Sequence, residues 1–101
     1  MRLQPSEIDA IRAAAEAVFG PGTRVRLFGS RVRDDLRGGD IDLLVEPGDP
    51  TRASDADERR FVTRLWDRIG ERKIDVIVAT PENADEPIVR IARRDGVEPW
   101  A

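Results

Sequence analysis

The chain has 101 residues, of which 40% are hydrophobic and 37% charged, and its formal net charge is −3. That length predicts a single domain over residues 1–101 with a small core. The slight acidic excess argues against direct binding of nucleic acid, because there is no surplus of cations to neutralise phosphates. No apolar run approaches a membrane span and no signal peptide is visible, so we expect a cytoplasmic protein without membrane contact.

The absence of cysteine and histidine from the sequence limits its possible metal chemistry. Disulfides and thiolate sites are excluded, and any metal site must be built from oxygen ligands. Oxygen ligands favour magnesium, manganese or calcium over zinc.

The apolar periodicity and the turn residues predict six main elements. They are a helix over about residues 6–19, a strand over 24–28, a strand over 40–46, a helix over 55–69, a strand over 73–80 and a short helix over 87–94. A short helical turn is also predicted over residues 30–36. Ser6 with Asp9, and Ser54 with Asp57, have the spacing of capping boxes at the first two long helices.

The last helix is expected to present Ile88, Ile91 and Ala92 as its apolar face, followed by an extended tail over residues 97–100. The helix between the second and third predicted strands is long enough for a crossover but does not fix the strand direction. The predicted fold class is therefore α/β or α+β, with a small mixed sheet of about three to four strands flanked by helices.

Two carboxylates lie at the start of the second predicted strand. Because strand side chains alternate, Asp40 and Asp42 project from one face, and Ile41, Leu43 and Val45 project from the other. Two like charges this close repel each other, and such a pair persists most easily where a cation neutralises it.

A glycine turn and a third acid accompany this pair. Gly29 tolerates backbone angles that other residues avoid, and Ser30 adds a hydroxyl donor, so the turn suits a nucleotide triphosphate. If the second and third strands pair, Asp75 could join Asp40 and Asp42 on one face. Three converging carboxylates would coordinate one or two divalent cations, which can activate an attacking oxygen and stabilise a leaving one.

Each acid also has a purely structural interpretation. Asp40 follows two glycines and could simply cap a turn. Asp75 could be paired with Lys73 or with a nearby arginine. Leu44 and Ile77 are expected on the same face as the carboxylates, where they would pack under a loop or form part of a protein interface.

Two arginines follow the glycine turn. Arg31 and Arg33 could neutralise phosphate, since arginine pairs well with its oxygens. Alternatively, they form a solvated face that pairs with Asp34 or Asp35. Both interpretations stay open.

Three segments together resemble the minimal nucleotidyltransferase (MNT) domain of the DNA polymerase beta superfamily. They are Leu-Phe-Gly-Ser-Arg-Val-Arg at 27–33, Asp-Ile-Asp-Leu-Leu-Val at 40–45 and Ile-Asp-Val-Ile at 74–77. The shared pattern is a glycine–serine turn, an acid-x-acid strand and a third acid on a later strand. The order of the elements matches over about residues 6–97, which is nearly the whole chain.

This resemblance implies specific roles. Gly29 and Ser30 would hold the β- and γ-phosphates of ATP as the substrate. Asp40 and Asp42 would bind one or two Mg²⁺ ions, with Mn²⁺ as a substitute. Asp75 would bind one metal ion and help to deprotonate the attacking hydroxyl.

The resemblance also implies a partner. Similar stand-alone domains are antitoxins that form hetero-oligomers with a helical HEPN-family toxin and transfer AMP from ATP to one of its tyrosine hydroxyls. The alternative is an antitoxin of the same fold that is catalytically weak or inactive and neutralises its partner by binding alone. A third class, the receiver domains that hold magnesium with paired aspartates, requires a longer alternating chain than this one.

Two positions depart from the family pattern. Asp34 stands where the family often has glycine, and Gly39 stands where it often has serine. An acid at position 34 either weakens nucleotide binding or points to solvent, and Gly39 removes a hydroxyl next to Asp40. Neither change touches the three carboxylates, so we expect catalytic activity.

Overall fold

The computed structural model describes residues 3–28 and 41–100. The elements are α1 (Pro5–Phe19), β1 (Arg24–Phe28), β2 (Ile41–Glu46), α2 (Asp55–Ile69), β3 (Ile74–Val78) and α3 (Pro87–Asp95). All six predicted main elements are present, and the third strand is shorter at both ends than its apolar run predicts. The predicted helical turn over 30–36 and residue 40 at the start of the second strand lie outside the described residues. No helix in this part of the chain is long and apolar enough to cross a membrane.

The strands form one mixed sheet in the order β1-β2-β3 within the described residues. β1 is antiparallel to β2, whereas β2 is parallel to β3. The parallel pair requires a crossover, and α2, with 15 residues, provides it. The predicted small mixed sheet flanked by helices is therefore confirmed.

One face of the sheet carries the main hydrophobic core. Ile41, Leu43 and Val45 of β2 are fully buried there, as the alternation of β2 predicts. Helices α1 and α2 cover this face and contribute buried side chains that include Phe19 and Phe61. Burial of this apolar surface is the main force that holds the two helices to the sheet.

The opposite face carries a smaller cluster under α3. Leu44 is fully buried against Val89 and Ala92 of α3, and Ile77 packs at the edge of the same cluster. Leu44 and Ile77 therefore share the face of the predicted carboxylates, as expected. Their cover is a helix rather than the loop or protein interface that the sequence suggested.

The predicted apolar face of α3 is partly wrong. Ala92 is buried as predicted, but Ile88 and Ile91 are each 46% exposed, and Val89 is the residue that packs onto the sheet. A helix of nine residues contains two overlapping pairs at i, i+3, namely 88 with 91 and 89 with 92. So short a helix has too few turns for periodicity to decide which pair faces the core.

The two capping predictions have different outcomes. Ser54 is the N-cap of α2: the Asp57 N–H donates to Ser54 Oγ at 3.1 Å, and the Ser54 N–H donates to Asp57 Oδ2 at 3.2 Å. The box predicted at Ser6 is wrong, because α1 already begins at Pro5, with Gln4 as its N-cap. Proline suits the first helical position, where its missing N–H costs nothing, so Ser6 falls inside the helix.

The predicted extended tail is confirmed only in part: Val97 pairs with the outer edge of β1, whereas Pro99 and Trp100 form a turn. Val97 and Leu27 exchange two backbone hydrogen bonds, with N···O distances of 2.7 and 2.8 Å. Trp100 packs against the main core and lies under the guanidinium of Arg12, 5.8 Å from its ring centroid. Val97 thereby satisfies the outward backbone N–H and C=O of Leu27 on this edge of the sheet.

Ser54→Ala is expected to destabilise the protein by about 1 kcal/mol, because the α2 cap loses its acceptor. The Ser54 hydroxyl, and then its N–H, lower the pKa of Asp57 below its usual 3.8. A carboxylate whose pKa is lower in the folded than in the unfolded state stabilises the protein at pH values above the unfolded-state pKa. This contribution is lost as the pH falls through the folded-state pKa. The wild-type chain should therefore lose more stability than the variant between pH 5 and pH 2 or so.

Urea unfolding at several pH values measures both effects. Ser6→Ala is the matched control, since Ser6 is exposed inside α1 and caps nothing. An equal loss of stability in the two variants, or an unchanged pH dependence in Ser54→Ala, would contradict the prediction.

Candidate active site

The register of the sheet places two of the predicted acids side by side. Asp42 of β2 pairs with Asp75 of β3 in the parallel ladder, and Phe28 of β1 pairs with Asp42 on the other side. Neighbouring strands lie about 4.8 Å apart, and residues paired in register share one face of the sheet. Phe28, Asp42 and Asp75 therefore form a row across the sheet, which we call the acid row.

The core fixes the face on which this row lies. Ile41 and Leu43 flank Asp42 and are buried on the α1 and α2 side, so alternation places Asp42 on the opposite side. Ile74 and Val76 flank Asp75 and pack against the same core. A slip of one residue would move Asp75 to the other face, so the apolar pattern of both strands holds the two acids together.

The two carboxylates differ in exposure. Asp42 is partly buried between β1 and β3. The side chain of Asp75 is 54% exposed, and its Oδ2 lies 4.0 Å from Nζ of Lys73. The Asp75 carboxylate, although it lies within an apolar strand, thus remains in contact with water. It avoids most of the free-energy cost of burying a charge.

The ion pair with Lys73 is the structural role considered for Asp75 in the sequence, and it is present. An exposed pair at this distance contributes little to stability, because water screens it and both side chains lose freedom. It does not prevent Asp75 from binding a cation or accepting a proton.

The remaining predicted site residues lie outside the described residues. They are Gly29, Ser30, Arg31, Arg33 and Asp40, together with the departures Asp34 and Gly39. Within residues 3–28 and 41–100, no group of three acidic, histidine or cysteine side chains could hold a metal ion. The predicted set of three includes Asp40, so it is not tested by this absence.

The two acids that are described fit a divalent cation. Asp42 and Asp75 are adjacent carboxylates on one face, and such oxygen donors are the ligands preferred by magnesium and manganese. Adjacent like charges repel, so a cation between them would stabilise both ionised forms.

Phe28 is a neighbour of the acids that the sequence motifs did not indicate. Phe28 is partly buried at the edge of the cluster around Leu44 and stands next to Asp42 in the acid row. The alternation of β1, in which Arg24, Arg26 and Phe28 share one face, was the available signal.

A groove of about 700 Å³ lies at the other end of the sheet, away from the acid row. Its lining includes Glu46 at the end of β2 and Ala79 after β3. Arg93 also lines it, with its Nη2 3.5 Å from Glu46 Oε2. The groove contains neither Asp42 nor Asp75, so its size does not make it the predicted nucleotide site.

Comparison with known proteins identifies the family. A family model described as a nucleotidyltransferase domain matches residues 8–97, which include all three strands with Asp42 and Asp75. No curated protein matches the chain significantly. The match agrees with the resemblance carried by the glycine–serine turn and the acidic strands. The chain therefore belongs to the nucleotidyltransferase domain family, whose reaction is the transfer of a nucleotidyl group.

Proposed function

We propose that this protein transfers AMP from ATP to a tyrosine hydroxyl of a HEPN-family toxin in a metal-dependent reaction, and that it acts as the antitoxin. Family membership supports nucleotidyl transfer in general. The observation that carries the proposal is the register of β2 and β3, which pairs Asp42 directly with Asp75. The fold alone does not require two carboxylates on neighbouring strands to be paired on the same face.

Asp42 and Asp75, with Asp40, are the residues that would hold one or two Mg²⁺ ions, or Mn²⁺ in their place. When bound, these ions offset the negative charge of the reacting phosphate and lower the pKa of the attacking hydroxyl. Asp42 is fixed between two strands, so its carboxylate is suited to positioning. Asp75 is at the solvent-facing edge, so it can meet an acceptor that arrives from outside.

The proposed step balances as a simple displacement. The acceptor hydroxyl gives its proton to Asp75, and its oxygen forms a bond to the α-phosphorus of ATP. The bond from that phosphorus to the α–β bridging oxygen breaks, and pyrophosphate leaves. The product is AMP joined to the acceptor through a phosphodiester.

Gly29, Ser30, Arg31 and Arg33 are proposed to bind the triphosphate. Position 29 directly follows Phe28, which is the β1 member of the acid row. The proposed donors therefore follow directly in sequence on the residue that pairs with Asp42, and this connection supports the assignment.

The charge of the chain supports a protein acceptor. The net charge of −3 provides no cationic excess for a nucleic-acid template or primer.

The binding-only antitoxin is the second candidate. The contact between Asp75 and Lys73 favours it, because it gives the third acid a role without chemistry. In that case the domain would neutralise its partner by contact, and the acids would be dispensable for neutralisation.

One experiment separates these functions. The protein is incubated with α-labelled ATP, Mg²⁺ and the helical protein encoded by the adjacent gene. We expect label on that protein, its loss with a chelator, and its loss in Asp42→Asn. Asp67→Asn is the matched control, since Asp67 is exposed on α2, which covers the opposite face of the sheet.

Neutralisation of the partner is measured in the same variants. Neutralisation that survives Asp42→Asn, with no label transferred by the wild type, would replace the enzymatic proposal by the binding-only one. Label transfer that is equal in Asp42→Asn and Asp67→Asn would contradict the assigned site.

A further inference from the structure

The outer side of β3 is an open edge of the sheet within the described residues. β3 stands last in the strand order β1-β2-β3, so it has β2 on one side and no strand on the other. Its residues Ile74, Val76 and Ile77 are only partly buried, whereas the apolar residues of β2 are fully buried. An edge strand presents backbone N–H and C=O groups that can pair with a strand of another chain.

The bonding between β2 and β3 shows which backbone groups of β3 point outward. The Ile41 N–H donates to the Lys73 carbonyl at 3.0 Å, and Ile41 is paired in register with Ile74. Alternate residues of a strand direct their backbone groups to opposite sides, so residues 75 and 77 also bond β2. The N–H and C=O groups of Ile74 and Val76 therefore point away from the sheet.

Two other contacts define how far the open edge extends. The Asn83 Nδ2 donates to the Val78 carbonyl at 2.8 Å, so the loop after β3 satisfies the last outward carbonyl of the strand. On the opposite edge of the sheet, the tail bonds to β1. Within residues 3–28 and 41–100, the outward groups of Ile74 and Val76 have no hydrogen-bond partner. The open edge is therefore short and centred on residue 75.

Asp75 lies between these two open positions and belongs to the acid row. Its backbone bonds β2, and its side chain is 54% exposed on the face away from the main core. A strand added to the edge of β3 would place alternate side chains on that same face. The residue opposite Asp75 in such a strand would have its Cβ about 4.5–5.5 Å from the Asp75 Cβ. The open edge therefore leads directly to the acid row.

We propose that the acceptor protein binds as an extended strand along the outer edge of β3, paired antiparallel with residues 74–76. The inference rests on the proposed function, because that function makes Asp75 the group that receives the proton of the acceptor hydroxyl. The N–H and C=O groups of Ile74 and Val76 bind the backbone of the acceptor. Its tyrosine lies opposite Asp75, on the face of the acid row. Antiparallel pairing is the more stable arrangement per residue.

The Asp75 carboxylate selects which strand can occupy the edge. An apolar residue opposite Asp75 would cover the carboxylate without offering it a hydrogen bond, which is unfavourable. A hydroxyl in that position can donate to the carboxylate. A second copy of this chain is disfavoured, because a two-fold pairing centred on residue 75 would place one Asp75 opposite the other. The edge therefore suits an acceptor that carries a hydroxyl at this position.

Backbone amide exchange tests this contact without relying on catalysis. Exchange of individual amides is measured by NMR in the wild-type chain, alone and with the helical protein encoded by the adjacent gene, in the absence of ATP. At a partner concentration of ten times Kd, the Ile74 and Val76 amides should exchange about tenfold more slowly, because each gains an acceptor. The amides of Asp75 and Ile77, which already bond β2, are the internal control and should change little.

Val76→Pro tests the same contact through the kinetics of transfer. Proline removes the outward N–H but no bond to β2, so an edge strand can accept it at this position. Val76→Ala is the matched control, because it loses the same packing but keeps the N–H. We expect Val76→Pro to raise KM for the acceptor protein roughly twofold to tenfold over Val76→Ala, the effect of one lost hydrogen bond. Transfer to N-acetyltyrosinamide, which is too short to pair as a strand, should be equal in the two variants.

Two results would overturn the proposal. They are Ile74 and Val76 amides that exchange equally fast with and without the acceptor protein, and equal KM values in the two Val76 variants when both are folded. Protection of these amides in the free protein as its concentration rises would assign the edge to a second copy and overturn the proposal as well.

Failure of the proposed function gives a different result. A wild-type chain that labels neither the protein nor N-acetyltyrosinamide is not the proposed transferase, and the acceptor role of the edge is then overturned with it. Amides of Ile74 and Val76 that are nevertheless protected by the partner would identify the edge as the contact of a binding-only antitoxin.

Discussion

Asp75→Asn is expected to slow nucleotidyl transfer by about 10²–10³-fold, the typical effect of removing a group that accepts the reacting proton. Asparagine keeps the shape of the side chain but can neither take the proton nor contribute charge to a cation site. Asp75 is exposed on an edge strand, so its loss should leave the fold almost unchanged. Initial rates of label transfer and the unfolding temperature measure the two effects separately.

Lys73→Gln is the control for the structural role of Asp75. The substitution removes the ammonium 4.0 Å from the Asp75 carboxylate but leaves the acid row intact. If Asp75 acts only through this ion pair, both variants should behave alike, with stability losses of at most about 1 kcal/mol and similar rates. If Asp75 takes part in the chemistry, only Asp75→Asn should lose activity.

The pairing of Asp42 with Asp75 adds a further expectation for the double variant. Residues that act as one unit show strongly non-additive losses, because the first substitution already disables the site. Asp42→Asn combined with Asp75→Asn should therefore be little slower than either single variant. Losses that multiply would show that the two acids act independently and would contradict a shared site.

Local signals were sufficient to predict where most elements begin and end. Ser54 and Asp57 predict the start of α2 because their mutual hydrogen bonds form within one turn. Gly70 predicts its end, since it adopts a φ of 87° that other residues avoid. The start of α1 was misplaced because Ser6 has a capping spacing too, and only the position of Pro5 favours an earlier cap.

The relation between the acids needed information beyond local pattern. Alternation assigns Asp42 to the face opposite Leu43, but it does not say which residue of β3 lies beside it. A crossover the length of α2 leaves strand direction and register open, and a slip of one residue would separate Asp42 from Asp75. The sequence could predict their convergence only through the resemblance to a known family.

The orientation of α3 was beyond sequence reasoning for a different reason. Ile88 is larger and more apolar than Ala92, so hydrophobicity alone favours burying the isoleucines. Val89 and Ala92, which are smaller, instead pack against Leu44. Tertiary packing therefore leaves the more apolar pair, Ile88 and Ile91, exposed.

Phe61→Ala is expected to cost about 3–5 kcal/mol in the free energy of unfolding, the largest effect on stability that we predict. Phe61 is fully buried in α2, and its ring meets that of Phe19 in α1 at a centroid distance of 5.4 Å. Alanine removes the burial of a large ring, opens a cavity and ends a tilted aromatic contact. Chemical denaturation at neutral pH measures the loss.

Ile88→Ala is the matched control, because it also shortens a large apolar side chain, but one that is 46% exposed on α3. Its effect should stay within about 1 kcal/mol, as for most surface substitutions. Comparable losses in the two variants would mean that the α1–α2 contact is not the main support of the sheet.

The same variant tests how the core serves the site. Leu43, which fixes the face of Asp42, packs in the cluster that contains Phe61. Domains of this size have only about 5–15 kcal/mol of stability, so Phe61→Ala should unfold a measurable fraction at moderate temperature. At low temperature, where it stays folded, its transfer rate per folded molecule should equal that of the wild type. A lower rate there would mean that the packing around Phe61 also sets the exact position of the acid row.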